Sequence, residues 1–354
     1  MTPPAEKPKQ PERLRLPLLI VCIGMIFLLA GVGIQVSQNG ASGTSPLTMH
    51  TPVPLSDPTT SSTVQVNPGS VSPLLFGTNM SLYDSNDQVI NSVSTQNQLQ
   101  QLHLRIIRMP VRSALSNETE ILAARTIKSV GAYALVVLRG AVDDTVLADD
   151  LRIVNDLNSV FGHATVYYEY GNEEDLLGVD VGRYTDSWNS IVPQLKRAAL
   201  NGQFIGPVNF QFDQQYLADF LQHANPRPDA VSWHEYTCQD SWSNDLCIAR
   251  IDHWTNHINS ARQTMQSTIN TTLPIMITEW NYAPDAQSND GKINNDSFMT
   301  TWTTKALETL AADHVFASMQ YTCTNSVYAL ITGTGAITAQ GTAIASLYQR
   351  MIHP

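Results

Sequence analysis

The chain has 354 residues, 31 acidic and 20 basic, with a formal net charge of −11. That balance excludes a nucleic-acid binder, whose phosphate contacts need clustered Lys and Arg. Hydrophobic residues make up 43% of the chain, enough to bury a full core, while four cysteines are too few for a disulfide-built scaffold.

Residues 1–16 form a basic tail in which Lys7, Lys9, Arg13 and Arg15 outweigh Glu6 and Glu12. Directly after it comes PLLIVCIGMIFLLAGVGI, residues 17–34, without a charged side chain. About 20 apolar helical residues cross a bilayer core. The expectation is therefore a single-pass membrane anchor over 17–36, with the basic tail in the cytoplasm and the body outside. The alternative is a signal peptide cleaved near Gly31-Val32-Gly33, which would release a secreted protein. Residues 37–62 are rich in Ser, Thr, Pro and Gly, cannot build a core, and read as a flexible stalk.

From 63 to 354 short apolar runs alternate with longer amphipathic ones. The strand-like runs are LLFGTN (74–79), LRIIRMP (104–110), ALVVLRG (134–140), VYYEYGNE (166–173), QFIGPVN (203–209), AVSWHEY (230–236), IMITEW (275–280) and ASMQYT (317–322). They are apolar on both parities, as parallel strands covered on both faces should be. Helical spacing of apolar residues marks 118–131, 146–162, 185–200, 213–224, 249–265, 297–313 and 342–352. Eight strands alternating with helices predict an α/β (β/α)₈ barrel. A doubly wound open sheet is the alternative, weakened because no Gly-rich phosphate loop follows any strand.

Barrel active sites are built at the C-terminal ends of the strands. The fourth run ends in Glu169-Tyr170-Gly171-Asn172-Glu173-Glu174-Asp175, and the seventh in Thr278-Glu279-Trp280-Asn281. Strands four and seven are expected to face each other across the ring, so that Glu173 and Glu279 converge. Two carboxylates flanking a bond are what glycoside hydrolysis requires. On the sixth run Ser232, His234 and Tyr236 share one face. If that face points inward, His234 and Tyr236 come within reach of Glu279, where a phenol can orient a carboxylate.

These residues resemble the clan A glycoside hydrolases, retaining enzymes with an acid/base Glu on strand four and a nucleophile Glu on strand seven. The resemblance covers 63–354. It implies that Glu173 is the acid/base and Glu279 the nucleophile, with Asn172 at the sugar 2-hydroxyl. Arg108 in RMP resembles the clan's strand-two arginine, and His234-x-Tyr236 its strand-six pair. YGNEED is similar to the arabinofuranosidase and β-glucuronidase families, ITEWN to family 39. Strand eight lacks the tryptophan often used as a sugar platform, so Trp280 or Tyr321 would have to serve, and no accessory β-sandwich is evident.

The expected activity is thus retaining hydrolysis of extracellular carbohydrate without a cofactor. The rival is a catalytically silent carbohydrate-binding or cell-envelope protein on the same barrel. Glu173 would need a raised pKa, with Glu169 and Glu174 supplying like-charge pressure. Cys238 and Cys247 could form a disulfide at the site rim or remain reduced. No His/Cys/Asp cluster has metal-ligand spacing along the chain, so no catalytic metal is expected. Sequence does not reveal the oligomeric state.

Overall fold

The computed structural model describes residues 71–352 apart from 113, 143, 144 and 285. The basic tail, the apolar run 17–36 and the stalk 37–62 lie outside the described residues. Among the described residues no helix is long and apolar enough to cross a membrane.

Eight parallel strands close into a barrel in chain order: β1 (Gly77–Asn79), β2 (Ile106–Pro110), β3 (Tyr133–Leu138), β4 (Val166–Tyr170), β5 (Gly202–Asn209), β6 (Ala230–Tyr236), β7 (Ile275–Asn281) and β8 (Ala317–Gln320). The crossovers are α1 (Gln88–Asn91), α2 (Val93–Gln101), α3 (Asn117–Val130), α4 (Val146–Phe161), α5 (Val181–Ala198), α6 (Gln214–His223), α7 (Asn244–Ala249), α8 (Asp252–Ile269) and α9 (Asp296–Ala312), and α10 (Ala339–Ile352) follows β8. This is a (β/α)₈ barrel.

The pair α1–α2 escapes an apolar-periodicity reading because its segment is mostly Ser, Asn and Gln. Caps define it instead: Asp87 accepts from the Val89 N–H at 2.8 Å and Ser92 from that of Thr95 at 3.2 Å. Only Val89, Ile90, Thr95 and Leu99 are buried on these two helices.

Inside the barrel, Ile106, Leu135, Ile205, Met276, Ala317 and Met319 form an apolar plug, joined by Leu74 at the N-terminal end. Alternation along each strand then decides what stands above the plug. Two residues beyond Ile106 comes Arg108, and two beyond Tyr167 comes Glu169. The opposite parity on β4 packs outward, with Tyr168 stacked on Phe204 and Tyr170 against Tyr184 and Trp188.

Strand β7 breaks the alternation. Trp233 pairs with Ile277, but its neighbour His234 pairs with Glu279. Thr278 is therefore an extra residue, and such a bulge reverses which side chains face inward. Glu279 takes the inner face. Trp280 is thrown outward, 1% exposed, against Trp254 of α8 and Trp302 of α9.

Candidate active site

Strand β4 stops at Tyr170 rather than running on to 173, and the following residues turn sharply. Gly171 has φ 93° and Glu173 φ 53°, a left-handed conformation costly for a side-chain-bearing residue. The turn is pinned at its backbone, where the Glu173 N–H donates to the Val208 carbonyl on β5 at 2.9 Å. Its acidic run is split three ways. Glu173 faces the cleft. Glu174 folds under the chain, accepting from the Ala141 N–H at 2.6 Å, and Asp175 accepts from that of Phe210 at 3.1 Å. Gly140 is required for this, because a Cβ there would lie 1.8 Å from Glu174 Oε1.

Five residues from four strand ends meet through one guanidinium. Arg108 Nε donates to Glu169 Oε2 at 2.6 Å, Nη1 to Asn79 Oδ1 and Glu279 Oε2 at 3.0 Å each, and Nη2 to Asn172 Oδ1 at 2.6 Å. The Nη2 atom also stands 3.4 Å from His234 Nε2. Burial would lower the arginine pKa, but the charges of Glu169 and Glu279 outweigh it and raise it. Arg108 is a permanent cation at the base of the site, held by Glu169, which is fully buried. Asn79 is fixed in turn, its amide reaching the Thr278 and Gln320 carbonyls at 3.2 Å each.

Glu279 receives two hydrogen bonds, from Arg108 and from the Tyr236 hydroxyl. Burial first, and then the charge of Glu279, push the Tyr236 phenol well above its ordinary pKa, so it stays an O–H donor. Glu173 Oε1 lies 2.6 Å from His234 Nδ1. Burial pushes the Glu173 carboxyl up, but the charge and hydrogen bond of His234, with Arg108, bring it below the usual glutamate value. Burial lowers the His234 pKa, but Glu279 and Glu173 raise it by more. The two shifts fit together across that contact, the carboxyl held toward its charged form and the imidazole toward its protonated one. The expected upward pressure from Glu169 and Glu174 does not arise, because Glu169 is neutralised by Arg108 and Glu174 is turned away beneath Gly140.

A carboxylate oxygen of Glu173, one of Glu279 and a ring nitrogen of His234 all lie within 4.8 Å of one another. Folding thus assembles a potential ligand set that no spacing along the chain displays. Its lone pairs are already committed to protons, and the Arg108 cation 3.0 Å from Glu279 opposes a second cation there. Proton and charge chemistry fits this group better than metal binding.

The cleft above has a volume of about 880 Å³ and is lined by Asn172, Glu173, Glu279, Arg108 and Tyr321 among others. His234 and Tyr236 lie below, buried. Strands β4 and β7 are three apart round the ring rather than opposite; the acids meet because β7's bulge and β4's left-handed turn both aim inward. Trp280 does not reach the cleft, for the same bulge turns it into the helical layer. Tyr321 does, its hydroxyl 2.9 Å from that of Tyr83.

Asn79, Tyr83 and Arg112 also line the cleft and were not evident beforehand. For Asn79 the signal was present, a polar residue ending an apolar strand. Tyr83 and Arg112 sit on loops with no pattern. Cys238 and Cys247 are joined, with Cα atoms 4.7 Å apart, and Cys323 is free and buried.

Solved structures share the closed parallel barrel as a fold. An α-L-arabinofuranosidase from Thermotoga maritima, solved with arabinose, superposes with a TM-score of 0.60 at 13% identity, over 78% of this chain and 70% of that one. A broad-specificity endoglucanase from an uncultured bacterium gives 0.55 at 12%, over 80% and 95%. The protein N2152 of Neocallimastix frontalis gives 0.52 at 19%, over 71% of this chain and 60% of its own length. No family model matches the sequence, and no curated protein does. The likeness to family 39 rests on ITEWN alone.

Proposed function

We propose that the protein is a retaining glycoside hydrolase acting on carbohydrate outside the cytoplasm. The observation that carries this reading is the approach of the two acids, whose facing oxygens lie within 4.8 Å. Retaining enzymes hold their carboxyl groups about 5–5.5 Å apart, inverting ones about 6.5–9.5 Å, to leave room for water. The arabinofuranosidase and endoglucanase neighbours make a glycosidic bond the natural substrate.

In this reading Glu279, oriented by Arg108 and Tyr236, attacks the anomeric carbon as the glycosidic C–O bond breaks. Glu173 gives its proton to the departing oxygen. Water then enters, Glu173 takes a proton from it, and its oxygen replaces Glu279 at the same carbon with net retention. The proton Glu173 needs is stored across the 2.6 Å contact with His234. The Glu173 side chain is 21% exposed in the open cleft. A sugar covering it adds to the upward push of burial and draws the proton from His234 onto the carboxyl.

The test is the soluble domain on a panel of aryl glycosides, with product configuration followed by NMR. Hydrolysis with retention is expected. Inverted product would sink the double displacement, and binding without turnover across the panel would favour the silent carbohydrate-binding alternative.

A further inference from the structure

The charged groups of the cleft are almost all committed to one another. Glu279 and Glu169 share Arg108, Glu173 is joined to His234, Glu174 caps Ala141, and Arg139 is paired with Asp149. Four of the five Arg108 donors go to Glu169, Asn79, Glu279 and Asn172, and Nη2 also faces His234 Nε2 at 3.4 Å.

Arg112, on the loop after β2, is different. It lines the same cleft and has no carboxylate partner among the described residues. Its Nη2 donates to the Ser81 carbonyl at 3.2 Å, and its guanidinium lies 4.8 Å from the centre of the Tyr83 ring. Tyr83 is steadied in turn by its hydroxyl contact with Tyr321. The Nε–H is buried and meets no acceptor among the described residues. Nη1 makes no hydrogen bond among the described residues.

A half-buried cation held by a carbonyl and an aromatic face, with donors unmet, is costly unless something anionic completes it. In a chain of net charge −11, an acid to neutralise it would have been easy to supply. With Nη1 uncommitted and Nη2 holding only the Ser81 carbonyl, the guanidinium suits a carboxylate better than a sugar hydroxyl, because a charge-assisted bond is the stronger one.

We propose that Arg112 reads a carboxylate on the substrate, so that the glycan this site takes carries a uronic acid unit bound beside Tyr83 and Tyr321. The proposal rests on the glycoside-hydrolase reading and narrows it. It sets the chain apart from neighbours whose names specify arabinose or glucan.

The experiment uses matched pairs that differ only in CH₂OH against COO⁻. These are aryl glucoside and glucuronide, aryl galactoside and galacturonide, and oligosaccharides with and without one uronic acid residue. The readouts are kcat/KM, and calorimetric binding to the Glu279→Gln protein. The acidic member should be favoured about 10- to 100-fold, the worth of a charge-assisted hydrogen bond. That ratio should shrink in high salt. Arg112→Gln should abolish the preference and its salt dependence, and Arg112→Lys should keep part of both. A merely structural role would lower both members together and leave the ratio standing. Preference for the neutral members, or a ratio indifferent to Arg112→Gln, would overturn the proposal while leaving the glycosidase reading intact. Neither hydrolysis nor binding of any member would overturn both.

Discussion

Replacing Glu173 with Ala removes a carboxyl 2.6 Å from His234 Nδ1 and leaves a space at the cleft base. The residues around that space remain: a histidine whose pKa burial lowers but the Glu279 charge still raises, with Arg108 Nη2 3.4 Å from its far nitrogen. Positive charge therefore remains where the acid was. General acid help is typically worth about 10²–10⁴-fold and shrinks as the leaving group improves. Hydrolysis of an alkyl glycoside should fall by about that factor, while glycosyl-enzyme formation from a dinitrophenyl glycoside should slow no more than about tenfold. The intermediate should then accumulate, because water lacks its base. Azide, a linear three-atom anion needing no base, matches both the size and the charge of the vacated space. It should restore turnover and give a glycosyl azide of retained configuration, measured by burst kinetics and product NMR. Glu279→Ala removes the nucleophile and should give at most an azide of inverted configuration. The reasoning fails if Glu173→Ala ignores both leaving group and azide while Glu174→Ala shows this pattern. Glu174 is bound under Gly140, so its loss should disturb the fold rather than the leaving-group dependence.

Arg108→Lys replaces a fork serving four partners with a point charge that cannot span them. It should lower kcat/KM by about 10²–10⁴-fold and stability by about 3 kcal/mol, because buried Glu169 loses its hydrogen-bonded partner; near-wild-type kinetics would remove Arg108 from the site's framework. Burial, with a smaller contribution from a neighbouring carboxylate (Asp150 beside Glu174, Asp149 beside Asp150), lifts both Glu174 and Asp150 to about 7. Raised acids bind protons more tightly when folded, so stability should fall as pH rises from about 4.5 to 7 and stay lower above. Glu174→Gln should flatten part of that fall, on the order of 2 kcal/mol between pH 5 and 8 by chemical denaturation; an unchanged slope would show that the carboxyl finds water. If residues 17–36 anchor the chain, the full-length protein should stay in washed membranes and be released by protease acting on the stalk. A mature soluble chain beginning near residue 34 would show a cleaved signal.

The barrel was legible in the chain because its cause is local and repeated. Apolar runs such as IMIT and ALVV, separated by amphipathic stretches, leave few ways to bury both faces of every strand. Glutamates placed at strand ends marked the candidate site, since barrel geometry gathers those ends whatever the loops do. Alternation on β6 put His234 and Tyr236 on one face, but only the closed barrel decided that this face points inward. Alternation failed on β7, where a single extra residue, Thr278, exchanged the roles of Glu279 and Trp280; a bulge is settled by pairing with β6 and β8, not by the strand's own pattern. The state of Glu173 was equally non-local. Its neighbours in sequence, Glu169 and Glu174, suggested repulsion, yet one is neutralised by an arginine 61 positions away and the other is folded under a glycine. Glu173 is paired instead with a histidine on β6. Charge acts through space, so the composition could supply the acids, but only the closed barrel decided which of them meet.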